Sequence, residues 1–260
     1  MKLRTVSATR YVTPLREGGS LPAIVEADDA GMYVLKFRGA GQGPKVLVAE
    51  IIVGELARAA GLAIPEIVFI ELDPDLARAE PDAEIQQLMR ASAGLNLAFD
   101  YLPGSVTFDP VVDKPDELLA SSIVWLDACT SNVDRTARNA NMLMWHRRLW
   151  LIDHGAALYF HHGWSAGSDT SANPFPAIKD HVLLKYAARL GEADAALSAR
   201  ITPELIGEVV ALVPDAWLAT DQAFATPAAA RAAYVQHLSR RLQAPRAFLE
   251  EAQRARAALL

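Results

Sequence analysis

The sequence predicts an α+β chain of two lobes, a small antiparallel-sheet lobe followed by a mostly helical one. Three observations carry this. Residues 9–37 hold three short apolar and β-branched runs separated by turn clusters, the pattern of a small sheet. Residues 45–60 place Val48, Ile51, Ile52, Leu56 and Ala59 on one helical face. From about Ala177 to the C-terminus the pattern is helical and punctuated by Pro203, Pro214, Pro227 and Pro245. The 260 residues suffice for one large domain or two small lobes, and the lobe boundary is drawn at residues 1–102 and 103–260.

In order, the first strands are Tyr11-Val12, Ala23–Val25 and Met32–Phe37. The turn Glu17-Gly18-Gly19-Ser20 separates the first two. Backbone N–H groups of Gly18, Gly19 and Ser20 could face phosphate oxygens, because glycine permits close approach; most such turns are only turns. Lys36 sits at the end of the third strand. The stretch Gly39–Lys45 is not a Walker A loop, since Pro44 precedes the lysine and Val46 stands where Ser or Thr is needed. It reads as a connection. The helix over 45–60 ends at Gly61 and carries Glu50 and Glu55. Glu50 is the candidate partner for the strand lysine; Glu55 reads as a solvated glutamate and stands in reserve.

Pro65–Leu72 is a strand, Pro74 to about Met89 a helix, and Leu95–Tyr101 a second strand broken by Leu102-Pro103-Gly104, where the lobes would hinge. Glu117–Thr130 is an apolar helix with Cys129 in its packing. It leads into the polar loop of Ser131–Phe160, around which the chemistry gathers. Asp134 and Asn139 stand five positions apart; two apolar runs, Met142–Trp145 and Leu149–Ile152, flank His146-Arg147-Arg148 as a tight hairpin would; Asp153 closes the second run. Such a hairpin brings Asn139 and Asp153 to the same end. Asp134 alone is well explained as a turn residue. A carboxylate closing a buried strand needs a partner or a metal. Oxygen donors grouped this way suit Mg²⁺ shared with substrate phosphates, hence phosphoryl transfer.

His154, His161 and His162 could suggest a metal hydrolase. Adjacent histidines in a strand point to opposite faces, and no HExxH or paired-Cys spacing is present, so packing is the expected role. The net charge of −6 argues against nucleic acid as a direct ligand. A single cysteine excludes an intramolecular disulfide and fits a reducing cytoplasm. No apolar run is long enough to span a membrane, and the N-terminus lacks a signal-peptide core, so a cytoplasmic location is expected.

The segments YVLKF, GAGQGPK, AEIIVGELARAAGL, NVDRTARNANML and LWLIDHGAALYF together resemble the HipA-like kinase family in its short single-domain form, from about Pro22 to about Trp164. The resemblance implies a protein-kinase-like fold, ATP and Mg²⁺ as cofactors, and transfer of phosphate to a hydroxyl acceptor, usually serine or threonine. It assigns Lys36 to the α/β-phosphates, Glu50 to that lysine, Asp134 to the catalytic base, and Asn139 and Asp153 to the metal. Phe99, Asp100 and Tyr101 then line the adenine slot, with the strand backbone offering donor and acceptor. The pattern departs from protein kinases in three places. Asn132-Val133 precede Asp134 in place of His-Arg, His154-Gly155 follow Asp153 in place of Phe-Gly, and no Ala-Pro-Glu segment is evident. The acceptor therefore stays open among a protein, a small molecule and a phosphoinositide-type lipid. A nucleotide-binding pseudokinase that acts as an interaction module is the non-enzymatic alternative. Joint retention of Lys36, Asp134, Asn139 and Asp153 speaks against it.

Overall fold

Alternation builds the start of the first strand. In β1 (Thr5–Pro14), Val6 and Ala8 face inward while Thr5, Ser7 and Thr9 face out. The computed structural model describes residues 2–15, 21–41, 43–164 and 169–259. Gly18, Gly19 and Ser20 lie outside them. The chain forms two compact units, Met1–Val48 with Pro65–Gly104, and Ala49–Ile64 with Ser105–Leu260.

In the first unit β1 is followed by β2 (Ala23–Ala27) and β3 (Met32–Lys36). Helix α1 (Pro44–Ala59) begins in this unit and continues into the second. Then come β4 (Ile67–Leu72), a 3₁₀ turn at Pro74–Ala79, α2 (Ala83–Ala91) and β5 (Gly94–Asp100). The expected single helix from Pro74 to Met89 is thus two pieces. Pro81 interrupts it, and Asp82 starts α2 afresh by accepting the Glu84 N–H at 3.0 Å.

The expected small antiparallel sheet is instead a closed barrel in the order β1-β2-β3-β5-β4. Its closing pair, β1 with β4, is parallel, in register Thr5↔Phe69 to Ser7↔Glu71. Closure follows from the length of β1. Its C-terminal part pairs with β2, with register shifts at Ala8/Arg10 and Tyr11/Thr13 that add twist, and its first residues are left to reach β4. The barrel core is aliphatic, with Val25, Leu35, Val68, Ile70 and Ala98 among its fully buried members, and α2 adds Ile85 and Met89.

The second unit holds the rest of α1, which ends in a full Schellman motif. Gly61, at φ +88°, donates to Arg58 C=O, and Leu62 N–H donates to Ala57 C=O. Strand β6 (Val106–Thr107) pairs with β7 (Met142–Trp145), which pairs with β8 (Arg148–Leu151). The β7–β8 turn has two residues, His146 and Arg147, both left-handed, so its backbone twist matches the strands. Between β6 and β7 runs α3 (Glu117–Thr130). Asp116 caps it by accepting from Leu118 and Leu119 N–H, and left-handed Ser131 ends it. Helices α4 (Leu190–Arg200), α5 (Pro203–Val210), α6 (Asp215–Leu218), α7 (Pro227–Arg241) and α8 (Ala247–Ala257) complete the unit. Thr202 and Thr226 cap α5 and α7 ahead of prolines in the first turn.

α3 is mostly apolar and is buried at Ala120, Ser121 and Ile123–Thr130, and it is the scaffold of the unit. Trp125 is fully buried and donates its indole N–H to Asp194 at 2.7 Å. The Arg241 guanidinium of α7 caps the end of the helix through the carbonyls of Cys129 (2.6 Å) and Ala128 (2.9 Å). Cys129 is buried, as expected, and burial pushes its thiol up to about 12. Among the described residues no helix is long and apolar enough to cross a membrane.

Candidate functional site

The loop after α3 is held from beneath by one buried carboxylate. Asp127 has no exposed surface, yet it lies on the apolar helix. Its Oδ1 accepts from Asn132 Nδ2 at 2.9 Å, and its Oδ2 from Arg135 Nε at 2.6 Å and His181 Nε2 at 3.0 Å. Burial alone would raise this carboxyl. The Arg135 charge and the His181 hydrogen bond outweigh it and hold Asp127 well below the usual carboxylate range. Asn132 in turn accepts the Asp134 N–H at 3.1 Å.

Asp134 is half-buried at the lip of this loop. Its Oδ2 accepts from Asn139 Nδ2 at 2.7 Å and from Asn141 Nδ2 at 3.2 Å. A carboxylate oxygen can only accept, so both amides present nitrogen to Asp134 and turn their carbonyl oxygens the other way. Thr136 and Asn139 exchange backbone hydrogen bonds, which closes the loop locally. Asn141 is the partner of Asp134 that the sequence reading passes over. It is left-handed, immediately precedes β7, and its carbonyl accepts the Ile152 N–H at 3.0 Å. The hairpin therefore brings Asn141 directly, and Asn139 through Asp134, to the end where Asp153 follows Ile152.

Asp153 is half-buried and left-handed, at φ +53°, a conformation that Asp tolerates better than most residues. The segment after it folds back on the same loop. Leu158 N–H donates to Thr130 C=O at 2.7 Å, and Ala157 N–H to His154 C=O at 2.9 Å. His154 N–H donates to Glu50 Oε2 at 2.8 Å, so the fully buried carboxylate of α1 grips the backbone next to Asp153. Glu55, expected in solvent, is 5% exposed and accepts from Arg58 Nε at 3.2 Å. The packed side of α1 is wider than the sequence stripe suggests, because Leu47 through Val53 are all buried.

In the first unit Lys36 ends β3, is 7% exposed, and holds Nζ 5.6 Å from the Phe99 ring centroid. Phe99 is buried, Asp100 exposed and Tyr101 half-buried. The expectation that this strand offers its backbone edge does not hold through Tyr101. β5 is interior, between β3 and β4, and the N–H groups of Asp100 and Tyr101 already donate to Glu66 and Met32 carbonyls.

His161 and His162 are not in a strand. They lie in a 3₁₀ helix, Tyr159–Gly163, where their Nε2 atoms come within 3.2 Å, and His161 Nδ1 meets Tyr234 Oη at 3.0 Å. Among the described residues no three His, Cys, Asp or Glu side chains form a metal cluster. The side chains that do gather are one carboxylate and two amides, Asp134 with Asn139 and Asn141.

None of the curated protein sequences compared with the chain matches it. Two solved kinases share its fold. The Helicobacter pylori proinflammatory kinase CtkA aligns over 92% of this chain and 95% of its own, with TM-score 0.54 and 12% identity. The Golgi casein kinase, in a structure with Mn/ADP bound, aligns over 97% of this chain and 74% of its own, with TM-score 0.56 and 13% identity. At that identity the likeness concerns architecture, which is protein-kinase-like. The profile of the HipA-like kinase family matches residues 9–250, nearly the whole sequence and both units described above, and the chain belongs to that family.

Proposed function

We propose that the chain is an ATP- and Mg²⁺-dependent phosphotransferase that moves the γ-phosphate to a hydroxyl, with protein serine or threonine as the acceptor class. The observation that carries the reading is the environment of Asp134. Two neutral amides hold its carboxylate, and no cation bonds it among the described residues, whereas Asp127 seven positions earlier is locked by Arg135. A carboxylate held in place but not neutralised can orient a hydroxyl and take its proton. Asn139 and Asp153 would hold the cation, and Asn141 offers a further amide oxygen to it. When bound, Mg²⁺ supplies charge neutralisation at the phosphates. A structural neighbour was solved with Mn/ADP bound, which supports a nucleotide with a divalent cation here too.

Lys36 brings a compact cation to the α/β-phosphates, and its burial beside Phe99 limits the paths its amine can take. Glu50 is its assigned partner. Phe99 and Tyr101 supply apolar surface for adenine. Since the N–H groups of Asp100 and Tyr101 are used within the barrel, the donor to the base must come from residues 102–104, of which Pro103 has none.

Incubation with γ-labelled ATP and Mg²⁺, alone and with lysate, small-molecule or phosphoinositide acceptors, tests this. Label should pass to protein hydroxyls. Asp153→Asn should abolish transfer, and Asp134→Asn should abolish transfer while ATP still binds. Normal transfer by both variants would remove the site assignment. Label on lipid or small molecule alone would replace the acceptor class.

A further inference from the structure

Arg135 directly follows the proposed base and is 1% exposed. A guanidinium buried so deeply is expensive to desolvate, and a mere ion pair seldom justifies it. Its bonds show what else it touches. Nε donates to Asp127 Oδ2 at 2.6 Å. Nη1 donates to Asn141 C=O and, at 3.4 Å, to Ile152 C=O. Nη2 lies 3.2 Å from His154 Nδ1, and because arginine only donates, that nitrogen accepts. These acceptors flank the oxygen donors of the site. Asn141 holds Asp134, and Ile152 and His154 bracket Asp153. One rigid fork thus spans the two segments that carry the carboxylates.

The fork has its own anchor. Asp127 is fixed on α3, and His181 locks it from the other side. His181 Nδ1 accepts the Leu183 N–H at 3.0 Å, so Nε2 carries the hydrogen given to Asp127 and the ring is neutral. Val182 N–H donates to Arg135 C=O at 3.1 Å, which pins the backbone as well.

We propose that Arg135, anchored by Asp127 and His181, is a positioning residue that sets the spacing of Asp134 and Asp153 for the metal–phosphate complex. This rests on the phosphotransferase reading. A purely structural charge pair with Asp127 would be served nearly as well by lysine. Positioning would not, because one ammonium cannot reach Asp127, two carbonyls and an imidazole in a fixed plane.

Arg135→Lys is therefore the test. It should fold, with an unfolding midpoint within a few degrees of the parent and a KM for ATP within about threefold. Its kcat should fall about 100-fold, the scale of a small misplacement of reacting groups. Mn²⁺ binding in the presence of ADP, read by electron paramagnetic resonance, should weaken about tenfold, as when an outer-sphere support of a metal site is lost. A folded Arg135→Lys with kcat and Mn²⁺ binding both near parental values overturns the proposal. If that variant does not fold, the neutral pair Asp127→Asn with Arg135→Gln is read the same way. If neither folds, Arg135 is a folding residue and the proposal falls. A parent that binds Mn²⁺ with ADP but transfers no phosphate removes the phosphotransferase reading, and the Mn²⁺ arm alone then decides Arg135. A parent that does neither overturns both.

Discussion

The two units each build a network around one arginine, and they do it in opposite ways. In the barrel unit Arg4 bonds Glu66 through two nitrogens, Asp29 at 2.9 Å and Tyr33 Oη at 3.1 Å. Its side chain is 48% exposed and that of Glu66 49%. In the helical unit Arg135 bonds Asp127 with both side chains at 0%. Water screens the first network, so its many short contacts say little about stability. The second cannot relax into solvent, so removing one partner leaves a buried charge behind. The number of contacts is similar; what differs is the penalty for breaking them, and the buried network touches the residues around Asp134 and Asp153.

The sharpest way to break the comparison is to remove each arginine in turn. Arg135→Met leaves Asp127 with only neutral donors in a dry site and should destabilise the fold by about 3–5 kcal/mol. Urea unfolding at neutral pH measures it. A loss under about 1 kcal/mol would mean that Asn132 and His181 satisfy Asp127 unaided, and the contrast between the units would vanish.

Much of this frame was legible in the sequence, and the illegible parts share a cause. α1, α3 and the β7–β8 hairpin were readable because their signals are local: helical spacing up to Gly61, an apolar run after Asp116, two apolar strands about a short basic turn. Barrel closure was not, because it depends on β1 pairing with β4 some sixty residues away, and the polar outer face of Thr5–Thr9 hides that strand. Asn141 was missed because the five-residue spacing from Asp134 selects Asn139, although Asn141 stands at the start of the strand. Asp127 did leave a trace. A carboxylate inside ELLASSIVWLDACT is out of place on an apolar helix and needs a partner. Arg135 is near enough to nominate; His181 comes from a distant loop that no local pattern connects.

A second contrast concerns pH. His237 of α7 stacks on Phe160 with ring centroids 3.6 Å apart, and its Nε2 is buried without a hydrogen-bond partner among the described residues. Burial, aided by Arg241, pushes it down to about 4. A depressed histidine binds its proton later in the folded state than in the unfolded chain. Its contribution is therefore complete above about pH 6.5 and is lost as pH falls toward 4, up to about 3 kcal/mol in all. Urea titrations at pH 7, 5.5 and 4 should show the parent weakening and His237→Gln weakening less across the same window. Parallel slopes for the two proteins would place the acid sensitivity elsewhere.

The smallest expected effect belongs to the barrel. Hydrogen bonds from Arg4, and then from Tyr33, hold the Asp29 carboxyl down at about 2. For a depressed carboxylate, stability is present above its unfolded value near 4 and is lost as pH falls from there toward 2, below the window of His237. Taken at face value the shift would be worth over 2 kcal/mol, but Asp29 is 31% exposed and Arg4 more so, and solvent screening cuts such a figure sharply. Arg4→Met should therefore cost no more than about 1 kcal/mol in low salt. In 1 M NaCl, where the screening length falls to about 3 Å, the difference from the parent should shrink further. The Tyr33–Asp29 hydrogen bond at 2.7 Å and the Gly31 N–H to Asp29 at 2.9 Å would remain and keep the β2–β3 turn in place. A salt-insensitive loss of several kcal/mol would show that the barrel arginine, too, acts as a buried charge, and exposure would then no longer separate the two networks.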